Sequence, residues 1–119
     1  MDSLSDRTLK ENFEVLDGVD VLERLSRIPI SEWNYKAQDQ AIRHVGPMAQ
    51  DFYAAFHLGE DDRHISTVDA DGVALAGIQA LYKVVRDEIG RLREENNALR
   101  TRLESLERHA MTVPVSSAS

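Results

Sequence analysis

Residues 75 to 106 read L-A-G-I-Q-A-L-Y-K-V-V-R-D-E-I-G-R-L-R-E-E-N-N-A-L-R-T-R-L-E-S-L. Leu75, Tyr82, Ile89, Asn96 and Leu103 fall at one seven-residue position, a, and Ile78, Val85, Leu92, Leu99 and Leu106 fall three residues later, at d. Only Asn96 interrupts the apolar seam. Such a repeat predicts a helix whose a/d stripe meets another helix. Flanking charges fit that reading. Glu88 with Arg93, Glu95 with Arg100 and Arg102 with Glu107 form g-to-e′ pairs of opposite sign, which join neighbouring helices only in the parallel orientation. At helical rise the span makes a rod of roughly 50 Å. Asn96 at an a position leans towards two strands, whereas Leu75 and Tyr82 do not choose, so heptad rules alone leave the copy number open.

Working outward from this helix, the rest of a 119-residue chain leaves a head in the marginal size range for an independent core. Self-association would supply further buried surface. The formal net charge of −7 argues against nucleic acid, which needs a basic face. No apolar run approaches membrane-spanning length, so no membrane partner is expected. The absence of cysteine excludes disulfides and thiolate metal sites and leaves the compartment open.

Along the head, Leu9 to Val15 alternates apolar and polar and predicts a strand. Asp17-Gly18 punctuates, and Val21, Leu22, Leu25 and Ile28 recur at helical spacing before Pro29 ends the helix. Ile30 to Lys36 predicts a second strand with Trp33 and Tyr35 on one face, returning through Ile42 to Val45. A second helix follows Gly46-Pro47, carries Met48, Phe52 and Phe56 on one stripe, and closes at Gly59. Asp69-Ala70-Asp71-Gly72 reads as a turn capping the long helix. Its Asp-x-Asp-Gly resembles the opening of a calcium loop but lacks the remaining ligands. The four histidines, His44, His57, His64 and His109, show no zinc-type pairing, so no metal or other cofactor is expected. The expected organisation is α+β: residues 1–73 a small mixed head, 74–109 a coiled-coil helix, and 110–119 a disordered tail.

Ser5 and Lys10 sit five residues apart in S-D-R-T-L-K. A serine hydroxyl is a weak nucleophile until a base takes its proton, and a lysine can be that base only when neutral. Spacing alone describes an ordinary surface serine and lysine. The ordered set of local motifs adds to it: S-D-R-T-L-K-E-N-F from Ser5, L-E-R-L-S-R-I-P-I-S-E-W-N-Y-K from Leu22, R-H-V-G-P-M-A-Q-D from Arg43 and H-I-S-T-V-D-A-D-G-V from His64, followed by the heptads. From Leu4 to about Arg108 this set resembles the carboxy-terminal intramolecular chaperone domain of phage tailspikes and endosialidases, also found in a membrane-bound myelin transcription regulator. Pro47 and Met48 stand where that family more often has a bulky apolar pair, and Ala70 replaces a usual aromatic.

The resemblance implies a homotrimer, with a small α+β head and a long helix forming a parallel coiled coil. It implies a domain that helps an amino-terminal passenger of the same precursor fold and then releases itself by autoproteolysis. Ser5 would be the nucleophile and Lys10 its base, with Leu4–Ser5 as the scissile bond; a break just after Ser5 stays open. His44 is a proton-relay candidate or a strand-end histidine, and Gln50 and Asp6 are candidates for orienting the scissile segment. The implied setting is a phage tail-fibre precursor in a host cytoplasm, or a bacterial or prophage protein. Four residues precede Ser5, which reads either as a fragment of a longer precursor or as a stand-alone product from which a short peptide would be released. A non-cleaving trimerisation module with a vestigial dyad is the alternative.

Overall fold

The computed structural model describes residues 4–112, and the chain divides into two compact units, one running to Leu81 and one starting at Tyr82. In the first unit, Asp17 caps α1 (Gly18–Arg27) by accepting from the Val19 and Asp20 amides at 3.1 and 3.3 Å. This satisfies donors that the first helical turn cannot pair internally. The helix stops at Ile28 ahead of Pro29, as the sequence predicts.

Strands β1 (Ser31–Trp33) and β2 (His44–Gly46) pair antiparallel, in the register Ser31 with Gly46, Glu32 with Val45 and Trp33 with His44. They are shorter than the alternation suggests. Arg43 ties the hairpin, donating to Glu32 at 3.0 Å and to Asn34 at 2.8 Å. Helix α2 (Ala49–Phe56) ends where His57 adopts a left-handed conformation (φ 51°), two residues before the glycine expected to close it. Arg24 on α1 donates to the Ala55 carbonyl at 2.6 Å, which satisfies an acceptor in the last turn of α2.

Two expected features differ. Leu9 to Val15 is not a strand: Arg7–Leu9 forms a 3-10 turn and residues 10–17 carry no regular structure. Alternation cannot make a strand without a ladder partner, and among the described residues the sheet has only β1 and β2. Asn12 breaks the extended path with φ at 56°. Asp69 to Gly72 is not a turn either. Helix α3 runs Thr67–Thr112 and absorbs these residues into its first turns. Tertiary packing of that segment outweighs the helix-breaking tendency of one glycine, about 1 kcal/mol. The expected disordered tail lies, from residue 113 on, outside the described residues.

Val21 and Ile28 of α1, Phe52 of α2 and Val73 of α3 form the core of the first unit, with Leu25, Phe56, Ile65 and Ala76 packed around them. Gly18 and Gly77 allow α1 and α3 to approach closely. A methyl group at Gly18 would lie 2.8 Å from the Ala80 Cβ, and one at Gly77 would lie 3.2 Å from the tip of Leu25.

The packed residues of α3, namely Val73, Ala76, Gly77 and Ala80, occupy the b, c and f positions of the heptad. The a and d residues Leu75 and Ile78, on the other side of the same turns, are 63% and 64% exposed. In the second unit, Tyr82, Val85, Ile89, Leu92, Leu99, Leu103 and Leu106 are likewise exposed, as is Asn96. Arg91, at a c position, bridges Glu88 at 2.6 Å and Glu95 at 2.8 Å within its own helix. Among the described residues, no helix is long and apolar enough to cross a membrane.

Candidate functional site

The chain around Ser5 is folded by local chemistry. Asp6 accepts from the Thr8 amide at 2.9 Å and from the Thr8 hydroxyl at 2.8 Å, an Asx turn that starts the 3-10 turn. The Leu9 and Lys10 amides then close on the Asp6 and Arg7 carbonyls at 3.0 and 3.3 Å. This curl returns Lys10 towards Ser5. Lys10 Nζ donates to Ser5 Oγ at 2.7 Å. The Thr8 donors, the backbone amide foremost, hold the Asp6 carboxyl below its ordinary pKa, because a carboxylate accepts two hydrogen bonds better than a carboxylic acid does.

Asp6 therefore shapes the turn that brings the serine and lysine together. Thr8 escapes a search for catalytic residue types. The Asp-x-Thr spacing, a turn signature, is the signal that could have found it. Both Ser5 and Lys10 are exposed in the single chain. For Lys10 to act as a base the hydrogen bond has to run the other way, from the serine hydroxyl to a neutral amine, and neutral lysine is a product of burial.

His44 and Gln50 lie elsewhere. His44 opens β2, with its ring 5.1 Å from Trp33 and 5.0 Å from Tyr35, and its Nε2 is 3.0 Å from Gln38 Oε1. Trp33 and Tyr35 meet edge to face at 4.8 Å, and the Trp33 indole donates to the Gly46 carbonyl at 3.3 Å. Gln50, in the first turn of α2, lines a groove of about 500 Å³ that also includes Trp33, Tyr35, Met48, Arg63 and Ile65. Among the described residues no hydrogen bond joins His44 or Gln50 to Ser5, Asp6 or Lys10. The sequence motifs that contain them mark this aromatic groove as well as the turn.

The described residues thus combine a small α+β head, a Ser–Lys turn at its start and a helix with an uncovered heptad stripe. Residues 5–58 match the model of a peptidase family, S74, described as the chaperone of endosialidase. This stretch, which runs from the Ser–Lys turn through α2, is similar to that family, in agreement with the motif resemblance. No curated protein matches the chain.

Proposed function

We propose that this chain is an intramolecular chaperone domain that assembles as a parallel homotrimer, helps an amino-terminal passenger fold, and frees itself by one cut at Leu4–Ser5. The observation that carries the reading is the 2.7 Å approach of Lys10 Nζ to Ser5 Oγ, made by a turn inside the matched segment. In the proposed step, neutral Lys10 takes the Ser5 hydroxyl proton while Oγ attacks the Leu4 carbonyl carbon. The Leu4–Ser5 amide bond breaks and its nitrogen leaves as a protonated amine, with Leu4 then held on Oγ as an ester. Water hydrolyses the ester, giving a Leu4 carboxylate and restoring the Ser5 hydroxyl. The attacking group is attached to its own substrate, so geometry gates the reaction and turnover is single.

The uncovered a/d stripe supports self-association, and the family resemblance supplies the copy number of three. The head packs on the far side of the same helical turns, leaving Leu75, Ile78 and the downstream seam for other copies. Assembly that buried Lys10 would favour its neutral form and make cutting report correct folding. The exposure of Ser5 and Lys10 in the single chain favours a second reading, a trimerisation module that does not cut.

One fusion separates them. With a folded passenger placed ahead of Met1, intact-mass analysis should find a product ending at Leu4 and another beginning at Ser5. Ser5→Ala, Lys10→Ala and Lys10→Arg should each leave an uncut trimer, since a guanidinium cannot serve as base. Cutting at the same bond by Ser5→Ala refutes the nucleophile. An uncut wild-type trimer establishes the non-cleaving module.

A further inference from the structure

The segment after the Ser–Lys turn and the aromatic groove are each incomplete, and they match. Residues 11–16 read Glu-Asn-Phe-Glu-Val-Leu, and in the single chain Phe13, Val15 and Leu16 are 71%, 100% and 66% exposed. Large apolar side chains left in water on a short irregular segment are the usual mark of a contact surface. The groove presents Trp33, Tyr35, Met48 and Ile65 together with the cations Lys36 and Arg63. Among the described residues neither Lys36 nor Arg63 forms an ion pair, and neither Glu11 nor Glu14 does. One partner thus offers an aromatic ring flanked by two carboxylates, and the other an aromatic-lined cleft flanked by two cations. Among the described residues no hydrogen bond or ion pair joins them within one chain. Leu75 and Ile78 belong to the same compact unit as the groove, so self-association along their stripe brings the globular units of neighbouring copies together.

We infer that residues 11–16 of one copy dock in the Trp33–Tyr35–Met48 groove of a second copy, with Phe13 in the cleft and Glu11 and Glu14 against Lys36 and Arg63. The inference rests on the proposed self-association and supplies what the Ser–Lys turn lacks. Docking of Glu11 onward covers the chain next to Lys10, so desolvation of the lysine is contributed by the neighbour. It also gives the alternating Leu9–Val15 pattern a surface to lie on, which the single chain does not provide.

Trp33 is the only tryptophan in the chain, so its fluorescence reports the groove directly and needs no cleavage. Sedimentation and acrylamide quenching are measured together on the full chain. Phe13→Asp should sediment as the assembled wild type does, while its quenching constant rises about threefold. Glu11→Lys with Glu14→Lys should behave alike, and adding Lys36→Glu with Arg63→Glu should bring quenching back towards wild type.

Co-assembly of Phe13→Asp chains with an excess of Trp33→Phe chains tests whether the contact crosses between copies. The only tryptophans then sit in chains without Phe13, and shielding should return. An assembled Phe13→Asp with wild-type quenching overturns the docking while leaving self-association standing. Failure of the mixed assembly to regain shielding overturns docking between copies. A wild type that sediments as monomer removes the self-association reading and this inference with it.

Discussion

Gly18→Ala puts one methyl group where α1 packs directly against Ala80 of α3. Its carbon would sit 2.8 Å from the Ala80 Cβ and 3.6 Å from the Ala80 Cα. Ala80 has no rotatable side chain to move aside, so the strain falls on the helix backbones, and α1 must lift from α3. Overpacking of this kind costs about 1–3 kcal/mol. Replacing glycine stabilises in return by about 0.4–1 kcal/mol through the unfolded chain, which leaves a net loss centred on about 1.3 kcal/mol. For a domain this small, that central value lowers the melting temperature by about 5–10 °C.

Thermal and urea unfolding followed by circular dichroism, run at several protein concentrations to separate dissociation from unfolding, reads the change. Ala80→Gly on top of Gly18→Ala should recover part of the loss, giving a coupling between the two sites that distant sites lack. Gly77→Ala is the contrast. Its methyl would meet the Leu25 Cδ2 at 3.2 Å and the Leu22 Cδ2 at 4.0 Å, side-chain tips able to give way, while alanine is better than glycine in a helix interior by about 1 kcal/mol. Gly77→Ala should therefore be neutral or mildly stabilising. A Gly18→Ala protein as stable as wild type, with no coupling to Ala80, would refute the close α1–α3 packing and with it the assignment of the b/c/f face to the head.

Leu92→Asp with Leu99→Asp places two charges in the proposed seam at about 3–5 kcal/mol each when buried unpaired, so sedimentation should show monomer; retention of copy number and helicity would mean that the stripe is not the assembly element. In the passenger fusion the same variant should not cut although Ser5 and Lys10 are intact, and efficient cutting by a verified monomer would remove the link between assembly and cleavage. The Asp6 carboxyl should titrate below the ordinary aspartate value by NMR, and Thr8→Ala should move it only part of the way back, because the backbone donor remains. Since the folded value is the lower one, the carboxylate's support of the Ser5–Lys10 turn is complete above the ordinary aspartate pKa, about 3.9, and fades as pH falls through the folded value. Glu88 is held low chiefly by the Arg91 hydrogen bond, and Arg91→Ala should raise its titration midpoint towards that of an ordinary glutamate.

The features the sequence determines by itself are those whose causes lie within a few residues. Asp17 caps α1 and Pro29 follows its end. The heptads specify a long helix whatever it packs on. The Ser5–Lys10 pair is suggested only through the motif resemblance, and the Asp6–Thr8 turn that brings the two side chains together is seen only in the folded chain. Tertiary structure decided the rest. Leu9 to Val15 has the alternation of a strand, but a strand exists only where another backbone supplies its ladder, and no local pattern says whether one is near. Asp69 to Gly72 reads as a turn by composition, yet Val73 must enter the core beside Phe52, and the helix begins early enough to carry it there. His44 sits in a motif that invites a catalytic role, while its surroundings are set by Trp33 across the β1–β2 ladder. Which side of α3 the head occupies was likewise beyond the heptad pattern. That choice rests on Gly18 meeting Ala80 and Gly77 meeting Leu25, pairs more than fifty residues apart, whose fit appears only when the chain is folded.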